Sequence, residues 1–141
     1  MKKLLFCLPI FISLNAIAQI NNCSNALEIK PDSVCVAGTS QLTGQTLTGA
    51  TYVAGELGTT TSACTFVASP DVWFKLTART KYPTITVSNP GAGFTTAALK
   101  IQLLTGTCGA FSEVTCVNNA LVLTPALTNP LIPGTIYYIR I

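Results

Sequence analysis

The chain has 141 residues, with eight basic and five acidic side chains, a net charge of +3, only 9% charged residues and no histidine. A chain this long suits one domain with one core, and so small a positive balance excludes the basic footprint of a nucleic-acid or anionic-membrane binder. The lack of histidine excludes Ser-His-Asp and Cys-His nucleophilic schemes and histidine-based zinc hydrolysis.

Taken in chain order, residues 1–18 read as an export signal. Lys2 and Lys3 form a positive start, Leu4 to Leu14 an apolar stretch, and Ala16-Ile17-Ala18 the small-residue cleavage pattern. The stretch is shorter than the roughly 20 residues that span a bilayer. Cys7 lies too early for a lipoprotein cysteine. Cleavage near Ala18 predicts a soluble chain from Gln19 onward, with no membrane span, in a secreted or cell-surface location. Loss of Lys2 and Lys3 leaves six basic residues against five acidic ones, so solubility rests on the abundant Thr, Ser, Asn and Gly.

Residues 19–141 read as a single domain of short strands. Ser24 to Leu27 suits one helical turn, and weak Thr-rich runs follow near Val34 to Thr39 and Leu42 to Thr51. Val72 to Thr77 alternates, with Val72, Phe74 and Leu76 predicted on the core face and Trp73, Lys75 and Thr77 opposite. Ile85 and Val87 alternate with hydroxyl residues, and Leu99, Ile101 and Leu103 with Ala98, Lys100 and Gln102. Phe111 to Val117, Leu121 to Thr124 and the β-branched, aromatic run Ile136 to Ile141 complete the set. Turn signals punctuate them, among them Ser69-Pro70-Asp71, Asn89-Pro90-Gly91, Thr105-Gly106, Asn129-Pro130 and Pro133-Gly134. Many short strands with frequent turns predict an all-β fold, an antiparallel β-sandwich of jelly-roll or Greek-key kind.

Five cysteines follow the signal: Cys23, Cys35, Cys64, Cys108 and Cys116. An odd number in an oxidising compartment leaves one without a partner in this chain. Cys108 and Cys116 flank a Gly-containing segment between two strand runs, so a hairpin disulfide between them is the first expectation. Cys23 with Cys35 is the second, leaving Cys64 unpaired; Cys35 with Cys64 competes with it. No Cys-x-x-Cys motif is present, which argues against zinc.

The acids after the signal are Glu28, Asp32, Glu56, Asp71 and Glu113, each alone in sequence. Asp32 and Asp71 each follow a proline, where an aspartate closes an Asx-turn more often than it catalyses. No catalytic residue and no cofactor is predicted. Calcium, held by acids such as Asp32, Glu56 or Asp71 with loop carbonyls, is the one metal left open, without an Asp-x-Asp loop to argue for it. Trp73, the only tryptophan, is the one candidate for ligand contact: an indole on an outer face suits sugar stacking or a partner protein, although packing under a loop is the commoner fate.

The order Asn22-Cys23-Ser24-Asn25-Ala26-Leu27, Cys35, Gly49 to Thr51, Cys64 and Asp71-Val72-Trp73-Phe74-Lys75-Leu76-Thr77-Ala78 resembles a recurrent extracellular bacterial β-sandwich module. Leu103 to Gly109, Val114-Thr115-Cys116 and Leu131 to Arg140 resemble its second half. The module is similar to pre-peptidase C-terminal domains, which occur in large secreted proteins with type IX sorting domains. The resemblance implies a non-catalytic module for adhesion or protein interaction, its partners being an extracellular protein or glycan and other domains of one polypeptide. A carbohydrate-binding module, or an accessory domain of an extracellular peptidase or glycosidase, is the alternative. The apolar run ending at Ile141 leads to the further expectation of an incomplete sandwich, a fragment whose odd cysteine finds its partner beyond residue 141.

Overall fold

A computed structural model describes residues 20–30, 49–64, 66, 70–87 and 99–141. Residues 1–18, Asp32, Cys35 and the Thr-rich run at 34–39 lie outside the described residues. The strands are β1 (Leu27–Ile29), β2 (Trp73–Thr77), β3 (Ile85–Thr86), β4 (Lys100–Thr107), β5 (Ala110–Asn118), β6 (Val122–Leu123) and β7 (Ile136–Arg140), preceded by a 3-10 turn at Cys23–Asn25. The fold is all-β and sandwich-like: a five-stranded sheet in the order β1-β2-β7-β4-β5 packs against a two-stranded sheet of β3 and β6. Every pairing is antiparallel except β1 with β2, which is parallel.

Register explains the two faces of the large sheet. Phe74 pairs with Ile139, Ile139 with Leu103, and Leu76 with Tyr137. Successive side chains alternate between faces, so these residues share one side with Ile101 and pack with Leu99, Leu123 and Leu131 into the main core. This is the face predicted from Val72, Phe74 and Leu76. The opposite face carries the row Trp73, Arg140, Gln102 and Cys116, aligned across β2, β7, β4 and β5. Beside it runs a second row of Lys75, Tyr138, Leu104 and Glu113.

That opposite face is closed by irregular chain rather than by strands. The 3-10 turn and the segment 49–64 lie over it, and Cys23, Ala26, Trp73, Leu104 and Phe111 form a second, smaller core with Leu57 and Tyr138 against them. β7 is interior to the sheet, hydrogen-bonded on one side to β2 and on the other to β4. The final apolar run is therefore not a sheet edge. At the long β5 edge the register slips between Leu103 and Leu104, Thr60 Oγ1 donates to the Phe111 carbonyl, and Asn129 Nδ2 donates to the Val114 carbonyl at 3.0 Å. A bulge and two side-chain caps are the kind of device that blunts an edge against unwanted pairing.

Candidate functional site

Two disulfides fasten the cover to the sheet: Cys23 with Cys108, Cα atoms 5.8 Å apart, and Cys64 with Cys116, Cα atoms 5.9 Å apart. The expected Cys108–Cys116 bridge is corrected. The β4–β5 turn falls on Cys108 and Gly109, with Thr107 opposite Ala110, so Cys108 sits at the hairpin tip while Cys116 faces Gln102 well down the strands. Six strand residues separate those levels, a distance of roughly 20 Å at the usual rise per residue. The Cys23–Cys35 and Cys35–Cys64 alternatives fall too, because Cys23 and Cys64 are both bonded elsewhere. The observed bridges span 85 and 52 residues. Loops of that size restrict the unfolded chain more than a hairpin bridge, by roughly 4 to 5 kcal/mol each when taken singly.

Trp73 is fully buried, at 0% exposure. Its ring stacks on Phe111 at 5.5 Å between centroids, and Phe111 meets Tyr138 at 5.0 Å in a tilted arrangement. The alternation correctly put Trp73 on the face away from the main core. That face is covered, so Trp73 is a packing residue and offers no sugar platform. The Thr- and Gly-rich cover has no strand or helix period to announce itself in the sequence, but its two stapling cysteines were visible.

Beside Trp73 lies a buried polar cluster. Arg140 forms an ion pair with Asp71, and its Nε donates to Asp71 Oδ2 at 2.5 Å. The Arg140 guanidinium also lies 4.1 Å from the Phe66 ring centroid, 5.6 Å from that of Trp73 and 5.7 Å from that of Tyr52. A flat cation between aromatic faces keeps favourable contacts in place of the water it lost. Glu56 Oε1 accepts the Cys23 backbone N–H at 2.8 Å, joining the cover to the 3-10 turn.

Burial pushes both acids of this cluster up from the ordinary carboxylate range. For Asp71 desolvation outweighs the opposing pull of Arg140, and for Glu56 it outweighs the Cys23 hydrogen bond. The Trp73 indole N–H lowers both values, yet closes a hydrogen bond of good geometry with neither: Trp73 Nε1, Glu56 Oε2 and Asp71 Oδ1 have no partner among the described residues. Tyr52, Glu56, Gly58, Thr60 and Arg140 line a cleft of about 200 Å³ above the cluster.

A second polar group lies further along the face. Gln102 Nε2 donates to Ser62 Oγ at 2.8 Å and to Glu113 Oε2 at 2.7 Å, while Ser62 Oγ donates to Glu113 Oε2 at 2.6 Å. The Ala63 N–H reaches Glu113 Oε1 and the Cys64 N–H reaches Ser62 Oγ, both at 3.0 Å. These bonds orient the loop that carries Cys64 toward Cys116.

Of the acids considered for calcium, Asp71 pairs with Arg140 and Glu56 accepts from Cys23, each through one carboxylate oxygen, and Asp32 lies outside the described residues. Among the described residues no group of three or more Cys, Asp or Glu side chains is arranged to hold a metal ion. No described helix is long and apolar enough to cross a membrane. No protein-family model, curated protein or solved structure matches the chain.

Proposed function

We propose that the chain is a non-catalytic β-sandwich module of a secreted or cell-surface protein, serving adhesion or protein interaction. The observation that carries this reading is the pair of long-range disulfides clamping an irregular cover onto the sheet. Such bonds persist in oxidising compartments, in keeping with the export signal read in residues 1–18. The ionisable groups beneath the cleft support the same reading, because Asp71 and Arg140 are engaged with each other between β2 and β7 and Glu56 ties the cover to the 3-10 turn. The resemblance to pre-peptidase C-terminal modules and to type IX cargo points the same way.

The test is export and adhesion together. Expressed with its own first 18 residues in a bacterium with a type IX apparatus, the chain should leave the cytoplasm cut near Ala18, and the purified oxidised protein should bind cells or extracellular protein above an inert sandwich control. A chain retained in the cytoplasm, or one that adheres no better than the control, removes the reading.

A further inference from the structure

Away from the cleft, two loops meet at one end of the molecule. Residues 78–83 follow β2 and residues 124–135 precede β7, and four backbone or side-chain bonds tie them. Ala78 N–H donates to the Thr135 carbonyl and Gly134 N–H to the Ala78 carbonyl, at 2.9 and 2.8 Å. Leu131 N–H donates to the Lys81 carbonyl at 2.9 Å, and Tyr82 Oη reaches the Leu127 carbonyl at 3.4 Å.

The second loop is stiffened by its own chemistry. Ile132-Pro133-Gly134-Thr135 closes with Thr135 N–H on the Ile132 carbonyl at 3.1 Å, with Gly134 at φ +87°. Proline second and a positive-φ glycine third is the arrangement of a type II turn. A second turn closes from Asn129 N–H to the Ala126 carbonyl at 3.0 Å and puts Leu127 at its corner. Pro125, Pro130 and Pro133 restrict the backbone between these turns.

These turns hold large apolar side chains in water. Leu127 is 80% exposed, Ile132 66%, Ile136 51% and Tyr82 41%. Single exposed aliphatics are ordinary on protein surfaces, but a group on adjoining, tied loops marks an interaction site. The charged side chains of these two loops have one sign: Arg79 and Lys81 are exposed, and neither 78–83 nor 124–135 contains an acid.

We infer that this tip docks an acidic segment of a partner protein, one whose apolar side chains cover Leu127, Ile132 and Ile136 while its carboxylates face Arg79 and Lys81. The inference rests on the interaction-module reading above and gives that module its docking face. Proline-fixed turns present the apolar group already ordered, which spares the ordering cost that weakens most loop interfaces. Complementary charge at the rim speeds encounter and sets the partner's sign. A protein fits better than an anionic bilayer, because polybasic membrane sites gather about four to eight cations and the tip loops carry Arg79 and Lys81.

The test uses the full exported chain and a synthetic peptide alternating leucine with glutamate, with its leucine–lysine counterpart and phosphatidylglycerol vesicles as competitors. The acidic peptide should bind, shift the methyl resonances of Leu127, Ile132 and Ile136, and bind more weakly as salt is raised. Arg79→Glu with Lys81→Glu, or Leu127→Ser with Ile132→Ser, should weaken it by about ten-fold or more; all four side chains are exposed, so the fold is unaffected. The inference is overturned if the basic peptide binds equally well, if the charge-reversed protein binds as before, if the vesicles bind in preference, or if the tip binds only a second copy of itself. Adhesion without acidic-peptide binding removes the tip proposal and leaves the module reading intact; peptide binding without adhesion does the reverse.

Discussion

Asp71 and Arg140, 69 residues apart in the chain, form an ion pair with both side chains excluded from solvent. Asp71 lies two residues before β2, where Val72 and Ile141 exchange backbone hydrogen bonds at 2.9 and 3.1 Å, so the pair locks β2 to β7 from the covered face. Removing one partner leaves the other charge buried alone. Asp71→Ala and Arg140→Ala should each cost about 3 to 5 kcal/mol, while the double change Asp71→Leu with Arg140→Met should recover most of the loss. Urea unfolding of the oxidised protein measures this. Single losses below ~1 kcal/mol, smaller than a buried pair permits, would count against the buried pairing.

Gly58 is held against the tip of the β4–β5 hairpin at φ +68°, where an added Cβ would run into the Gly109 carbonyl. The same approach is fixed by Gly109 N–H donating to the Glu56 carbonyl at 2.8 Å. Both contacting atoms are backbone, so relief requires the cover to lift. Gly58→Ala should therefore destabilise by at least ~1 kcal/mol and raise hydrogen exchange selectively at Gly58 and Gly109. A variant with wild-type exchange at both amides would contradict the close docking.

The raised pKa values give a pH dependence with a definite sign. A carboxyl that holds its proton more tightly when folded than unfolded costs stability as pH rises through the interval between its two values. For Glu56 and Asp71 that interval starts near the ordinary carboxylate range, about pH 4, and extends upward. Their contribution is thus most favourable at the acid end and declines toward neutral pH. Glu56→Gln keeps an acceptor for the Cys23 N–H and removes the desolvated charge. It should raise the neutral-pH melting temperature and flatten its dependence between about pH 4 and 7; a steeper dependence would show the sign to be wrong.

The periodic parts of this fold were legible in the sequence, and the covering parts were not. β2, β5 and β7 fall where alternation and β-branched composition placed them, because each has one face in the main core, whereas β4 runs on through Thr105-Gly106, expected as a turn, to Thr107 and turns only at Cys108 and Gly109. β1 was missed: its three residues give too short a pattern to read. The run from Leu42 to Thr51 was expected to contain strand, yet the described residues 49–51 are irregular. Cover residues between 49 and 64 bury little of their own surface and owe their place to disulfides and to bonds from Ser62, Glu56 and Thr60. Such bonds join residues far apart in sequence and leave no local period. Arg140 likewise read as one more position in an apolar strand, and its partner Asp71 as a turn residue. Only the register of β2 on β7, with Trp73 opposite Arg140, brings that side of the sheet together.

The most direct test of the clamped sandwich is a non-reducing peptide map of the chain recovered from an exporting host. The account predicts cross-linked peptides joining Cys23 to Cys108 and Cys64 to Cys116. A Cys108–Cys116 peptide, or these four cysteines recovered as free thiols, would contradict it.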